Sequence, residues 1–400
     1  MDKINESLVT PIKGNYDIIV CGGGVAGVAS AVSAARSGVS VLLIEKSIQL
    51  GGLATSGLIS WNEPICDGEG HLLMTGMPHE FLQLAIKYGP DTIDFGWKDN
   101  TENLTDTKRY ATFFSPTIFT MALDELVKDN GVDLLFDTTV VLPLMDGKRC
   151  RGVFVENKSG RSCYTAKVVI DTTGDSDIFF RSGAPCTEGK NYLTFIGYIV
   201  DKNSLIKAYE GGNLLDSRKW TAVGSNLWGK GHPDGFPKFS GVTAEEVTEY
   251  IISGRKMFFN KVLEKPRNER DVSVLPTMAQ FRTTRRINGA YELTEKDVGR
   301  RFDDSIGVAG DFAKRGVAYE LPYRMLFCQE YINLLTAGRT VTSSGWAWEI
   351  TRVIPVAIAT GQACGMAAAI CAKRDCDVQS IDIIELQENL VEAGVKIHLE

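Results

Sequence analysis

Three glycines close to the start of the chain have the spacing of a phosphate cradle. Gly22, Gly24 and Gly27 follow a short apolar run, residues 16–21, in the order G-x-G-x-x-G. A diphosphate is anionic and must come close to the main chain. Gly22 permits a tight turn, Gly24 omits the Cβ that would block the phosphates, and Gly27 lets a helix lie close on the preceding strand. Val25 and Ala26 would stand in the first turn of that helix, where N–H groups are free and the local charge is positive. Glu45 closes a second apolar run, 23 residues after Gly22, where a carboxylate can accept hydrogen bonds from ribose hydroxyls. The glycine spacing alone is a weak signal. Strand, glycines, helix, strand and acid in that order make a dinucleotide site the expected reading.

Other residues extend the pattern. Lys46 follows Glu45, and Gly51-Gly52 with Thr55 comes soon after. A nicotinamide-type site needs no glycine pair there, and a plain surface turn is the alternative. Gly174 and Asp175 end the run Thr172-Thr173-Gly174-Asp175, and Gly338 and Arg339 end an apolar run at 332–337. Ligands of open α/β sheets sit beyond such strand ends. Arg352 stands just ahead of Pro355, which can begin a helix. It is a candidate for ligand contact, with a structural ion pair as the alternative.

Arg282, Arg285 and Arg286 form a basic cluster suited to a carboxylate, or else to internal salt bridges. Arg285 joins Arg352 as a candidate catalytic residue. Proton transfer needs a tunable acid or base, and the chain has four histidines. His71 and His79, which flank a stretch after the glycine pair, are the candidates. His232 in a Gly/Pro loop and His398 near the end rank behind them. Tyr291, Tyr319 and Tyr323 are alternatives that also suit a core. The nine cysteines include no C-x-x-C pair, and no histidine lies near Cys371 and Cys376. No metal site is expected, and the cysteines read as small buried groups in a reducing compartment.

The elements that would position these residues follow from periodicity. Residues 16–21 and 39–44 read as buried strands around a helix that ends before Gly38. Ser115 and Pro116 read as N-cap and first residue of a second helix, running to about residue 130 and followed by a strand at 132–136. Residues 151–155 and 162–166 alternate around an Asn157–Gly160 turn, as in a β-meander, and 167–171 reads as a further strand. Residues 185–280 break this rhythm and suggest an inserted domain. A strand at 332–337 and a long helix after Pro355 restore it.

The chain has 400 residues, 44% of them hydrophobic and 23% charged, with a net charge of −7. The length suggests two domains or one with an insertion. The acidic balance disfavours nucleic acid as a main partner. The N-terminal residues show no apolar signal core. Residues 353–371 are long enough to span a bilayer, but Pro355, Gly361, Gln362 and Gly365 interrupt them, so a buried helix is expected. A cytoplasmic protein without membrane attachment is expected, with oligomeric state left open.

Glu45-Lys46 followed by Gly51-Gly52 resembles the FAD site of glutathione-reductase-type flavoproteins, and Thr172–Asp175 resembles a later element of that superfamily. Leu50–Thr55, Arg285-Arg286-Ile287-Asn288-Gly289, and the blocks at 333–339, 352–355 and 361–365 resemble the bacterial FAD-dependent oxidoreductase family across nearly the whole chain. The resemblance implies FAD and redox chemistry. It implies an α/β fold: a Rossmann-like FAD-binding domain with a central parallel sheet and a β-meander, plus an inserted α+β substrate domain. The expected boundaries are 12–56, 113–184 and 290–400 for the FAD domain, and 57–112 and 185–289 for the cap. Expected FAD contacts are Gly22, Gly24, Val25, Ala26, Gly27, Glu45, Lys46, Gly51, Gly52, Thr55, Gly174, Asp175, Gly338, Arg339 and Arg352. No second dinucleotide fingerprint is present, so electrons would come from or go to the substrate, a transient NAD(P)H or a carrier protein. The expected reaction is hydride transfer between flavin N5 and a carbon of a small polar or anionic metabolite. A flavoenzyme without net redox outcome and a tRNA-modifying flavoprotein are the alternatives.

Overall fold

The computed structural model describes residues 4–90, 92 and 112–399. Residues 93–111, part of the stretch expected to join the cap, lie outside them. The first βαβ unit forms as the sequence implies. β1 (Ile12–Cys21) and β2 (Val41–Ile44) pair in parallel around α1 (Val25–Arg36). Gly38 takes φ +77° just after the helix cap, a left-handed position that glycine tolerates without strain.

The second unit uses β3 (Trp61–Asn62) and β4 (Thr112–Phe113), a short antiparallel ladder flanking α2 (Met77–Ile86). α3 (Pro116–Asp129) follows, capped by the Ser115 side chain, which accepts from the Ile118 N–H. β5 (Asp133–Leu135) then lies parallel to β2.

The meander is β6 (Thr139–Asp146), β7 (Arg149–Asn157) and β8 (Gly160–Asp171). Two details differ from expectation. β8 is one continuous strand, not two. Residues 160–165 pair with β7, while residues 163–171 run beside β1. β6 was not legible because Pro143 interrupts its apolar run. It is the edge strand of the sheet, where a missing N–H can be borne.

After α4 (Asp177–Arg181), β9 (Cys186–Glu188) leads into the insertion. Here β10 (Thr194–Asp201), α5 (Lys202–Gly211), β11 (Lys219–Gly224), α6 (Ala244–Leu263) and β12 (Arg270–Val274) build a three-stranded antiparallel sheet with β10 in the middle. α6 backs one face, with Phe258 against Phe195, Gly197 and Ile199. By strand alternation Thr194, Ile196 and Tyr198 face the other way. β13 (Arg285–Ile287) pairs with β9 and returns the chain to the first domain.

β14 (Ser305–Gly310) and β15 (Ala318–Pro322) form a hairpin, and β16 (Leu334–Thr336) adds to the parallel sheet beside β8. α7 (Gly345–Thr351), α8 (Ile354–Arg374) and α9 (Ile383–Glu392) complete the order. The parallel core therefore reads β5-β2-β1-β8-β16. One face is covered by α1, α3 and α8, and the other by β7, Phe179 and Tyr331. α8 is long and apolar enough to cross a membrane, with a mean hydropathy of 1.6 over its most apolar window. That window is 89% buried within the protein. α8 is a core helix packed across α1.

Candidate functional site

The glycine turn sits where β1 passes into α1. Gly22 adopts φ +112°, and a Cβ there would strike the Thr172 carbonyl, so no other residue fits. Its N–H donates to the Ile44 carbonyl at 2.8 Å. A Cβ on Gly27 would strike the Gly22 carbonyl. Gly24 is different. Its φ of −64° suits any residue, and a Cβ built there would meet no protein atom within 4 Å. Neither backbone strain nor packing inside the chain requires glycine at that position. A ligand lying against the turn would.

The surrounding groups suit an anion. The first intrahelical bond of α1 runs from Val28 N–H to Gly24 O at 2.9 Å, so the amides of Val25, Ala26 and Gly27 precede it and are oriented outward along the axis. Glu45 is buried. Its carboxylate accepts from Gly23 N–H at 2.6 Å and from Ser47 N–H at 2.7 Å, which fixes the acid beside the turn and leaves lone pairs for a sugar. Lys46 is exposed. Gly51 N–H donates to the Gly23 carbonyl at 2.8 Å, and a Cβ on Gly52 would lie 3.1 Å from the Gly24 Cα. The glycine pair is thus folded onto the cradle and is not a free surface turn. Thr55 is buried and its hydroxyl donates to the Leu50 carbonyl, closing that loop.

The ends of β8 and β16 complete the wall. Thr172 Oγ1 reaches the carbonyls of Cys21 and Gly22 at 3.0 and 2.8 Å. Gly338 N–H donates to Thr360 Oγ1 on α8 at 3.0 Å. Arg339 is committed to the protein: its guanidinium donates to the Gly174 carbonyl, to Phe281 O at 2.6 Å and to Asp175 Oδ1 at 2.7 Å. It clamps three segments together. Asp171, fully buried at the end of β8, accepts from Thr173, Ile178 and Phe179. Burial nevertheless raises its carboxyl to about 6. This cap on α4 has no signature in residue type or spacing.

A strap at residues 276–284 joins the cap to this wall. Thr277 N–H donates to Ser56 O at 2.9 Å, and Gln280 Nε2 reaches the Gly57 and Ile196 carbonyls. Thr284 Oγ1 donates to Gly174 O at 3.0 Å. Arg282, in the middle of the strap, donates to Thr194 Oγ1 on β10 at 3.1 Å. Burial first, and then the charge of Arg352, lower its guanidinium from the ordinary value. Arg352 itself donates to Glu349 Oε2 through Nε at 2.6 Å. Arg282 therefore ties the strap to the cap sheet, and at the end of α7 the Arg352 fork is taken up by Glu349.

The remaining candidates lie elsewhere. Arg285 stacks 3.8 Å over the Phe180 ring and pairs with Asp177. Arg286 pairs with Glu292 and lies over Trp348. His71 is exposed, bonds Asp67 at 2.7 Å, and lines a groove with Thr75, Val298 and Lys396. His79 is half-buried on α2, which packs on α8, and burial lowers its imidazole from the ordinary value. Tyr291, Tyr319 and Tyr323 all belong to or pack on the main core. The structure brings together the glycine turn, Glu45, the glycine pair, Gly174 and Gly338. It does not bring His71 into that group. Gln280 and Glu349 carried no sequence signal, and Thr172 was noted only as part of the 172–175 run.

The sequence profile of the family described as FAD dependent oxidoreductase matches residues 17–194 and 243–390. The chain belongs to that family. It is accordingly an FAD-dependent oxidoreductase, and the open cradle beside Gly24 fits the cofactor that the family carries. A putative bifunctional amine oxidase of Dictyostelium discoideum is 35% identical over 97 residues, a match covering 24% of this chain and 9% of that protein. Among solved structures, a geranylgeranyl bacteriochlorophyll reductase-like protein of Thermoplasma acidophilum is similar over 96% of this chain and 84% of its own, with 13% identity and a TM-score of 0.49. A myxobacterial chondrochloren halogenase is similar over 94% and 78%, with 15% identity and a TM-score of 0.49.

Proposed function

We propose that this enzyme moves a hydride between flavin N5 and a carbon of a small polar or anionic metabolite held between the cap sheet and the FAD domain. FAD supplies the two-electron centre, and the chain supplies binding, orientation and electrostatics. In this reading the amides of Val25, Ala26 and Gly27 take the diphosphate, Glu45 takes the ribose, and the Gly51-Gly52 loop with Gly174 and Gly338 shapes the rest of the trough. Arg339 acts by clamping Gly174 and Asp175 in place. Among the described residues, those of 12–56, 113–184 and 290–399 form the FAD domain in this reading, and those of 57–90, 92, 112 and 185–289 the cap. Arg352 carries the substrate-side role. Arg285, His71 and His79 serve structure. A cytoplasmic enzyme exchanging electrons with NAD(P)H or a carrier protein completes the reading.

The observation that supports it most is the strap. Its hydrogen bonds to Ser56, Gly57 and Gly174 fasten the cap directly over the cofactor wall, which is where a substrate must lie to meet the flavin. The test is anaerobic flavin bleaching against a panel of hydroxy acids, amines, sugars and enoates. Bleaching by one class, with reoxidation by an added acceptor, supports hydride transfer. A spectrum unchanged by every class would sink it.

A further inference from the structure

The β3–β4 ladder, α5 and the cap strands β10 and β11 line a cleft of about 570 Å³, within the usual size of a small-molecule site. Tyr198 on β10 and Trp220 on β11 stand opposite each other in the cap sheet. Both are fixed to the chain that leaves the glycine-pair loop. The Tyr198 hydroxyl shares a hydrogen bond with Ser60, and Trp220 Nε1 donates to Leu58 O at 2.9 Å. Trp61 and Phe113, partners across the β3–β4 ladder, bring their rings to 4.1 Å, and Phe113 stands 6.0 Å from Trp220. The three rings form a continuous aromatic wall, and it is not sealed. Phe113 is 39% exposed and both indoles are half-buried. Aromatic surface left open inside a concavity is surface that a ligand can cover.

The same cleft holds an unmatched cation. Its acids are Asp201 and Asp216, and both are engaged, by Lys265 at 3.8 Å and by Lys207 at 2.7 Å. Lys219 is exposed to solvent. Arg218 has no carboxylate partner among the described residues. Its guanidinium lies over the Tyr198 ring, 5.7 Å from the centroid, and Nη2 reaches Ser115 Oγ at 3.5 Å. Ser115 is the N-cap of α3. Arg218 therefore stands at the positive end of a helix, where an anion is favoured and a further positive charge is not.

We propose that this cleft binds the substrate as a flat aromatic acid, its ring against the wall of Trp61, Phe113 and Trp220 and its carboxylate on Arg218. This deepens the function proposed above, and rests on it for the ligand's role as substrate. A guanidinium matches a carboxylate in geometry as well as in charge. Tyr198 holds that guanidinium from below through its ring face, so the cation is in place before the ligand arrives. The wall supplies area and the arginine supplies orientation, which is the division of labour expected of a small-molecule site.

The test is calorimetric titration of the FAD-loaded enzyme with 2-naphthoate, beside neutral 2-naphthamide and non-aromatic cyclohexanecarboxylate. The wild type is expected to bind naphthoate saturably and each control about tenfold more weakly, or worse. Arg218→Gln is expected to lose about tenfold in naphthoate affinity, to leave naphthamide binding unchanged and to stay yellow. Arg218→Lys is expected to lose less. Phe113→Ala is expected to weaken both naphthyl probes alike. Absence of saturable naphthoate binding, equal binding of naphthoate and naphthamide, or unchanged naphthoate affinity in Arg218→Gln would overturn the proposal. Binding is read without flavin turnover, so the two readings fail separately. A flavin that no compound bleaches removes hydride transfer, and the naphthoate heats still decide the cleft. Bleaching by another class with no naphthoate heat removes the cleft alone.

Discussion

Gly361 on α8 lies so close to the Ala26 carbonyl on α1 that no side chain can be inserted between them. A Cβ there would strike that oxygen and sit 3.0 Å from the Ala29 Cβ. Gly365 repeats the contact one turn on, against the Ser30 carbonyl. The two helices cross at backbone distance, and α1 is the helix whose first turn forms the cradle. Gly361→Ala is expected to push α1 away, costing about 1–3 kcal/mol of stability, and to lower FAD retention with it. Thermal unfolding and the absorbance ratio of flavin to protein, measured on one preparation, check both.

Gly24 gives the opposite case. Because a Cβ there meets nothing in the protein and φ is already ordinary, Gly24→Ala is expected to keep the apo-protein's unfolding midpoint within about 1 kcal/mol of wild type. FAD affinity is expected to fall at least tenfold, since the methyl occupies the diphosphate's space. Equilibrium dialysis against FAD, beside urea unfolding of the stripped protein, separates the two effects.

Arg339 joins Gly174, Asp175 and Phe281 and is mostly buried. Arg339→Gln leaves Asp175 without its counter-ion and three segments untied. A loss of about 3 kcal/mol is expected. Arg339→Lys restores the charge but not the planar fork, and is expected to recover only part of it. Chemical denaturation midpoints test the order wild type, Lys, Gln.

His79 supplies a pH dependence. Burial holds its imidazole below the 6.5 of an open histidine. As pH falls below 6.5 the unfolded chain gains a proton that the folded chain does not, so stability falls. The slope ends once pH passes the folded value. His79→Gln lacks this proton. The difference in urea midpoint between wild type and His79→Gln is therefore expected to shift against wild type on going from pH 7.5 to 5.5, and to be flat above pH 7.5.

The sequence reading succeeded where local rules decide the structure. The βαβ unit, the Ser115 cap and the long helix after Pro355 all stand within a few residues of expectation, because caps, glycines and buried runs act locally. It failed where a residue type has two uses. In α6, a Cβ on Gly254 would meet the Phe195 ring, so the glycine admits an aromatic from the cap sheet, in a stretch whose elements the sequence analysis did not assign. Arg285 reads as a ligand for an anion or a partner in internal salt bridges; it pairs with Asp177 and also stacks on the Phe180 ring, a contact that no spacing reveals. Arg339 stands in a ligand-facing motif, and its donors turn inward to Gly174 and Phe281. Long-range pairings of this kind depend on which segments fold against each other, which one chain's periodicity does not encode.

The contact between α1 and α8 has a consequence for synthesis. Ser33 Oγ donates to the Gln362 carbonyl across 329 residues. On a ribosome the nascent chain exposes its glycine turn first, and the helix that braces it emerges 329 residues after Ser33. Until then the turn lacks a floor. Flavin capture therefore reports synthesis of α8, and a product truncated before α8 should emerge from the cell without colour.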